Sequence, residues 1–293
     1  MARIAVVGPG AVGGAVAAWL HSTGRHEVCL CARTTRPPLE VTTPNRVLPS
    51  PAQILTDPNT APAVDWILVA TKTYDAAGAS AWFDRLGATG APVAILQNGV
   101  EHLTRFQSAV PMDRLVPVVV DLPAEREPPS RIRQRGPGRM TVPTGSNGEA
   151  FARLFDGTEI TVTLTADFTT AAWRKLCLNA AGVISALLLQ PAGVMRNPAI
   201  AEVARDLVRE AIAVGRAEGA DLPDTLVDDV VESYRRAPID AVNSLHADRL
   251  AGRPTEIDAR NGVIVRLGTR HGIPTPANRM AVALLASLDV SRR

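Results

Sequence analysis

Lysine is almost absent from this sequence. Of its 31 Lys and Arg residues only two are lysines, Lys72 and Lys175, and the other 29 are arginines. In such a chain arginine serves as the ordinary surface cation, so a lysine marks a position where arginine does not suffice. The two differ chemically, because a lysine can give up its proton whereas a guanidinium effectively cannot. We therefore take Lys72 and Lys175 as the first candidate functional residues.

Cysteine, histidine and net charge are also scarce, and each scarcity excludes a class of protein. The three cysteines, Cys29, Cys31 and Cys177, form no C-x-x-C pair, which argues against a disulfide framework. The five histidines are scattered without ligand spacing, so the sequence predicts no bound metal. A formal net charge of +2 provides no general attraction for nucleic acid or for an anionic membrane.

Long apolar segments of the membrane-spanning kind are missing too. The N-terminus runs directly into a glycine turn, without a secretory core and cleavage site. The longest stretch without charge, between Lys175 and Arg196, contains Gln190 and Pro191, and we interpret it as a buried helix and a turn. We therefore expect a cytoplasmic protein that binds neither membrane nor nucleic acid.

What is present is a soluble composition arranged in two halves. The 293 residues are 46% apolar, and the length favours two domains. Short apolar runs alternate with helical segments in the first half, which is typical of a doubly wound parallel sheet. We predict an α/β protein with a Rossmann-type domain over residues 1–165 and an all-helical domain over residues 166–293. The predicted strands are 4–7, 27–31, 66–70 and 93–96, and the predicted helices are 11–23, 199–218, 224–234, 255–271 and one that follows Asp167 and continues beyond Ala180.

Proline and glycine cluster in one part of the first half, from Pro117 to Gly148. There Arg131, Arg133 and Arg135 alternate with other residues, which predicts antiparallel strands or a hairpin at the far edge of the sheet. The arginines form either a solvated strand face or a patch for phosphate or nucleic acid. The lack of aromatic residues nearby favours the solvated face.

A glycine-rich turn follows the first predicted strand and opens the first predicted helix. It reads Gly8-Pro9-Gly10-Ala11-Val12-Gly13, the G-x-G-x-x-G pattern of dinucleotide-binding folds. Gly8 permits the tight turn, Gly10 lets the backbone approach a pyrophosphate, and Gly13 lets the helix pack closely on the strand. The start of the helix, at Ala11 and Val12, offers N–H donors to the phosphates. The alternative is a strand-turn-helix unit without a ligand.

The end of the second predicted strand bears on the choice of cofactor. An NAD site usually has Asp or Glu about 20 residues after the last glycine. Here Arg33 takes that place, and the next acid is Glu40. Because arginine can pair bidentately with a 2′-phosphate, we predict NADPH over NADH, with Arg36 as a second contact. The alternative is a solvated arginine in an arginine-rich chain.

Lys72 and Asn98 each follow one of two further apolar runs. Ligands of open α/β sheets bind outside the carboxyl ends of the strands, so we expect both residues to face one crevice. A tight turn at Asn98-Gly99 explains that pair equally well.

Lys175 lies on the first helix of the second predicted domain, with Asn179 one turn later on the same face. Gly182, Val183 and Ala186 continue that face with small groups, so the lysine and the asparagine can form the wall of a pocket. The alternative is a solvated cation.

A series of short motifs spans almost the whole chain. They are the glycine loop, Lys72, Gln97-Asn98-Gly99-Val100, Trp173-Arg174-Lys175-Leu176 with Asn179, Ser244, Thr255-Glu256-Ile257-Asp258 with Asn261-Gly262, and Gly272-Ile273-Pro274-Thr275-Pro276-Ala277-Asn278. Their order and spacing resemble those of the ketopantoate reductase (2-dehydropantoate 2-reductase) family. The resemblance implies a Rossmann domain and a helical domain, with a 2-keto acid bound in the cleft between them and NADPH as hydride donor.

The resemblance also implies catalytic roles for two residues. Lys175 would be the general acid that protonates the ketone oxygen as hydride arrives, and Glu256 would hydrogen-bond the nascent hydroxyl and help to hold Lys175. The chemistry agrees, since hydride addition builds negative charge on that oxygen and a positioned ammonium both stabilises and protonates it. Without the resemblance, Glu256 is equally an acid placed favourably at a helix N-terminus.

Further residues would bind the substrate and the cofactor. The resemblance places Lys72 and Asn98 beside the nicotinamide and the substrate, and Asn179 and Ser244 on the substrate, with Ser244 at its carboxylate. Taken alone, Ser244 is as well explained as a surface hydroxyl.

Val183 departs from the family pattern, in which a second asparagine usually follows the first by four residues. The change removes a substrate hydrogen bond and makes the pocket more apolar. The leading hypothesis is reduction of 2-dehydropantoate to (R)-pantoate in pantothenate biosynthesis. Two alternatives stay open, a paralogous reductase of another 2-keto or imino acid and a non-catalytic NADP-binding sensor, and so does a homodimer.

Overall fold

The computed structural model describes residues 1–35, 37–51, 53–127 and 130–290. The chain divides into two compact units, Met1–Phe168 and Thr169–Arg293. The boundary predicted after residue 165 lies just before this division.

The first unit contains the described strands and five of the α-helices. Its strands are β1 (Ala2–Val7), β2 (His26–Cys31), β3 (Glu40–Thr42), β4 (Val47–Pro49), β5 (Ile54–Leu55), β6 (Trp66–Val69), β7 (Val93–Ile95), β8 (Leu115–Pro117), β9 (Val119–Asp121), β10 (Ala124–Glu127), β11 (Arg131–Gln134), β12 (Gly138–Pro143) and β13 (Ile160–Thr165). Its helices are α1 (Ala11–Ser22), α2 (Ala76–Ser80), α3 (Phe83–Leu86), α4 (His102–Phe106) and α5 (Ser146–Leu154).

The elements described from Phe168 to Val290 are all helical, as predicted. They are α6 (Phe168–Ala181), α7 (Val183–Leu188), α8 (Pro198–Ala217), α9 (Leu226–Arg236), α10 (Ser244–Leu250), a π-helical segment (Asp258–Gly262), α11 (Val263–His271) and α12 (Pro276–Val290). A short 3₁₀ turn, Ala192–Arg196, precedes α8.

The main sheet of the first unit has the strand order β5-β2-β1-β6-β7-β8, and every neighbouring pair is parallel. This is the 3-2-1-4-5-6 order of a Rossmann fold, so the predicted fold class is confirmed. The central strands are apolar and buried on both faces, which explains their continuous hydrophobic runs. The strand order reverses between β1 and β6, where such folds bind their ligands.

Helix α1 is buried between the main sheet and a second sheet. On one side, a Cβ added at Gly13 would lie 2.9 Å from Cβ of Ala70, which follows β6. On the other side, a Cβ at Gly14 would overlap the side chain of Ile132 in β11. The buried Nε1 of Trp19 donates to Oε1 of Gln134 at 2.8 Å. Two successive glycines thus let one helix pack closely against a sheet on each side.

The Pro- and Gly-rich region does not lie at the far edge of the main sheet, so that prediction was wrong in its placement. β10 and β11 do pair antiparallel, but they belong to the second sheet, β10-β11-β3-β4. β9 and β12 also pair antiparallel, in a third sheet with β13. The reason is that the connection from β2 to β5 contains β3 and β4, which pair with each other. β11 then pairs with the other edge of β3.

The arginines of β11 and the residue after it form a solvated, ion-paired face. Arg131 pairs with Glu40 at 2.9 Å and Arg135 with Glu125 at 2.7 Å, and Arg133 lies 3.8 Å from Glu127. Each arginine side chain is about half exposed. These acidic partners weaken the case for an anion-binding patch.

The helix that carries Lys175 follows Asp167 and passes Ala180, as predicted. It ends at Ala181, and α7 begins at Val183. Two side chains from elsewhere in the unit bond to carbonyls at this break: Oη of Tyr234 donates to Leu178 O near the end of α6 at 3.0 Å, and Nδ2 of Asn243 donates to Gly182 O, between α6 and α7, at 2.9 Å. Such insertions into the helical hydrogen-bond ladder interrupt helices.

Within the described residues, no helix combines the length and the hydropathy needed to cross a bilayer.

Candidate functional site

The glycine loop lies where the strand order of the main sheet reverses. Gly8 has φ +90°, and its N–H donates to Cys31 O of β2 at 3.0 Å. A Cβ on Gly8 would lie 2.7 Å from the backbone nitrogen of Thr71, which follows β6. Gly8 is therefore required by the fold itself, as is Gly13, whose Cβ would overlap Gly8 O.

Gly10 is different, because a Cβ there would meet no protein atom within 4 Å. Its φ of −78° is also open to other residues. Nothing in the packing of the protein requires a glycine here, yet the open space lies at the N-terminus of the 12-residue helix α1, beside Ala11 and Val12. The first N–H groups of a helix lack acceptors within it and favour anions. The loop therefore fits the pyrophosphate of a dinucleotide.

Arg33 lies just beyond the carboxyl end of β2. Its side chain is 86% exposed, and Nη1 lies 3.5 Å from Oδ1 of Asp75. A surface ion pair of this kind contributes little, so the guanidinium can exchange Asp75 for a stronger anion. Arg36, the second contact predicted for the cofactor, lies outside the described residues.

Lys72 and Asn98 follow the adjacent parallel strands β6 and β7, so their backbones lie at the same edge of the sheet. Gln97 joins the two segments: its Nε2 donates to Thr71 Oγ1 at 2.9 Å and to Lys72 O at 3.3 Å. Both Lys72 and Asn98 are partly buried. Gly99 has φ +98°, so a tight turn follows Asn98.

His102 supports this edge and was not predicted from the sequence. Its Nε2 lies 3.0 Å from Gln97 O. Burial, aided by the charge of Arg105, lowers the pKa of His102 to about 3. The ring is therefore neutral near pH 7, and Nε2–H donates to the carbonyl. A lone histidine in a sequence carries no signal of such a role.

In the second unit, Lys175 and Asn179 lie one turn apart on α6. Lys175 is partly buried and Asn179 is 8% exposed. Val183, at the start of α7, is fully buried. The face predicted from the sequence is thus formed in part by α7, after the break at Gly182.

Glu256 precedes a π-helical segment rather than lying in the first turn of a helix. The helix predicted from Thr255 starts at Ile257, and Oδ1 of Asp258 accepts a hydrogen bond from Nη1 of Arg266. Glu256 is buried, at 4% exposure. π-Helical turns occur often at functional sites.

Ser244 begins α10, and it bonds to a residue that sequence reasoning missed. Ser244 is exposed, and its Oγ accepts a hydrogen bond of 2.8 Å from Nη2 of Arg260 in the π-helical segment. Arg260 is 3% exposed. Burial lowers the pKa of its guanidinium, and the nearby Glu256, Tyr234 and Asp248 oppose that shift. Arg260 is thus bonded to Ser244 and lies near Glu256.

A buried amide network fixes this segment to the helix that carries Lys175. Nδ2 of Asn261 donates to Ala180 O at 3.1 Å and to Asn278 Oδ1 at 2.9 Å. Asn278 in turn donates from Nδ2 to Glu210 at 2.7 Å and to Leu207 O at 3.1 Å. The network holds Arg260 and the end of α6 in one framework.

Across the described part of the chain, no three His, Cys, Asp or Glu side chains come together to form a candidate metal site. The three cysteines are buried and not bonded to one another as disulfides.

Comparison with known proteins relates both units to one family. The model described as "Ketopantoate reductase PanE/ApbA" matches residues 4–147, and its "C terminal" counterpart matches residues 167–289. A 2-dehydropantoate 2-reductase from Caulobacter vibrioides is 53% identical, covering 97% of this chain and 98% of that protein. One from Mycobacterium tuberculosis is 43% identical, covering 97% of each. The crystal structure of a PanE/ApbA family ketopantoate reductase from Ralstonia eutropha JMP134 is 31% identical, covers 99% of each chain and superposes with a TM-score of 0.89.

Proposed function

This chain belongs to the ketopantoate reductase family, an oxidoreductase family, and from this premise we propose that it reduces 2-dehydropantoate to (R)-pantoate with NADPH. The observation that carries the proposal is the 53% identity, over nearly the whole chain, to a protein named for that reaction.

Three features of the first unit support a dinucleotide cofactor and, among dinucleotides, NADPH. The space beside Gly10 is open, and the start of α1 offers N–H donors to phosphate. Arg33 takes the place of the acid that would bind the ribose hydroxyls of NAD, and its side chain is exposed to solvent. A guanidinium suits a 2′-phosphate because it can donate two parallel hydrogen bonds. When bound, NADPH supplies the hydride.

Lys175 provides the proton. Hydride addition to a ketone places negative charge on the carbonyl oxygen, and an ammonium group beside it stabilises that charge and then donates its proton. Arg could provide the charge but would be a poor proton donor at neutral pH. Glu256 accepts a hydrogen bond from the nascent hydroxyl, and Lys72 and Asn98 position the reacting groups from the sheet edge.

Asn179 and Ser244 bind the substrate. Amide N–H and serine O–H groups are donors to the oxygen atoms of a 2-keto acid. Ser244 is exposed at the start of α10, so its hydroxyl is accessible to the carboxylate. Val183 leaves an apolar side chain where the family pattern has an amide, which favours 2-keto acids with apolar substituents.

The test is a steady-state assay of NADPH oxidation with 2-dehydropantoate, repeated with NADH and with a panel of other 2-keto acids and imino acids. We expect efficient turnover of 2-dehydropantoate and a clear preference for NADPH. A low rate with 2-dehydropantoate and a high rate with another member of the panel would instead identify a paralogous reductase. Tight binding of NADPH without turnover of any carbonyl compound would identify a sensor. Light scattering of the same preparation tests for a homodimer.

A further inference from the structure

We propose that Arg260 is a positioning residue for the substrate carboxylate: it holds the Ser244 hydroxyl as a donor and places a positive charge behind it. This inference rests on the proposed function, because it needs a substrate that carries a carboxylate. It adds a residue that neither the motifs nor the family resemblance singled out.

The hydrogen bond between Arg260 and Ser244 has a defined direction. A serine hydroxyl has one O–H donor and two acceptor lone pairs. Because Nη2 of Arg260 donates to Ser244 Oγ at 2.8 Å, that oxygen acts as the acceptor in this contact. Its own hydrogen is left to point toward another acceptor. A carboxylate is purely an acceptor, so the arrangement is complementary to one.

The charge of Arg260 lies beneath the surface on which Ser244 is exposed. Arg260 is 3% exposed, whereas Ser244 is exposed. The guanidinium therefore acts on an anion from behind the hydroxyl, within a protein environment where electrostatic interactions are stronger than in water. A hydrogen bond whose donor is polarised by a cation is stronger than one between neutral groups.

One polar atom of Arg260 lacks a partner, although the carboxylates of Glu256 and Asp248 lie near its guanidinium. Its Nε is buried and has no hydrogen-bond partner among the described residues. Nearby Asp248 already pairs with Arg253 at 3.0 Å. Buried polar groups of purely structural residues are usually satisfied, and exceptions often have a functional role.

The test compares Arg260→Met with Arg260→Lys, which keeps a positive charge but loses the planar fork. Arg266→Met is the matched control. Arg266 follows Arg260 on the same helical stretch, but it is exposed and pairs with Asp258. Each variant is assayed with 2-dehydropantoate and with its neutral lactone, which has the ketone but no carboxylate. KM and kcat are measured for both, along with the KM for NADPH and the melting temperature.

We expect Arg260→Met to raise the KM for the keto acid by about 10- to 100-fold, the usual effect of losing a hydrogen bond to a charged group. The KM for the lactone and the KM for NADPH should stay within about twofold. Arg260→Lys should recover part of the loss, and Arg266→Met should match the wild type. Adding Ser244→Ala to Arg260→Met should raise the KM for the keto acid little further, since the effects of two coupled residues are not additive.

Equal increases of KM for the keto acid and the lactone would overturn the inference, since they would indicate a structural role. Additive increases of the KM for the keto acid in the double variant would also overturn it. If Arg260→Met does not fold, the Arg260→Lys variant decides. An unchanged ratio of the KM for the keto acid to the KM for the lactone in that variant would refute the role. Failure of the wild type to turn over any 2-keto acid would instead refute the proposed function and remove the premise.

Discussion

Substitution of Gly10 by alanine should separate cofactor binding from folding. An added methyl group meets no protein atom within 4 Å, and the backbone is extended with φ −78°. Loss of glycine flexibility in the unfolded chain stabilises by about 0.4–1 kcal/mol. Against this, alanine is a poorer residue than glycine at a helix N-cap, by up to about 1 kcal/mol. The two effects oppose each other, so the free energy of unfolding should change by less than about 1 kcal/mol.

Cofactor binding should respond differently. The methyl group would occupy the space in which we place the pyrophosphate, and overpacking of a close contact costs about 1–3 kcal/mol. That cost corresponds to a roughly 5- to 150-fold weaker Kd for NADPH. The measurement is a fluorescence titration of NADPH, alongside denaturant unfolding of the protein without cofactor.

Gly13→Ala is the matched comparison, because a methyl group there would overlap Gly8 O and crowd Ala70. It should lower the free energy of unfolding by about 1–3 kcal/mol. If Gly10→Ala destabilised the protein as much as Gly13→Ala does, the space beside Gly10 would not be open. If it bound NADPH like the wild type, the pyrophosphate would not lie there.

Three further predictions concern single side chains. Arg33→Gln should raise the KM for NADPH about 10- to 100-fold and leave that for NADH nearly unchanged; an unaltered ratio of the two would exclude a 2′-phosphate contact. Lys175→Ala should lower kcat by about 10²- to 10⁴-fold, whereas Arg174→Ala, an exposed neighbour on the same helix, should not; equal losses would exclude the acid role. His102 has a pKa of about 3 in the folded protein and about 6.5 when unfolded, so the unfolded chain takes up the proton first as the pH falls. Its contribution should lower the free energy of unfolding between about pH 6.5 and pH 3, by up to about 1.4 kcal/mol per pH unit, and His102→Gln should reduce that slope in urea titrations; identical slopes would contradict the buried neutral ring.

The parts of the fold that sequence predicts well are those set by local pattern. The strand before Gly8, the glycine turn and the helix after it follow one another within about 20 residues, and each step has its own residue signal. The second sheet has no such signal, because β11 pairs with β3 across some 90 residues of chain. Gly14 shows what was missed: its close packing against Ile132 requires a second sheet over α1, but the glycine alone cannot indicate one.

The distinction between local pattern and long-range contact also explains which candidate site residues the sequence reveals. Lys175 stands out because lysine is rare in this chain and because arginine could not perform the proton donation that we propose for it. Arg260 is one of 29 arginines, and its type alone carries no information. What distinguishes Arg260 is burial beside Ser244, a contact between residues 16 positions apart that only the folded chain displays. In an arginine-rich protein, therefore, a candidate functional lysine can be recognised from composition, whereas a candidate functional arginine is recognised only by its burial in the folded chain.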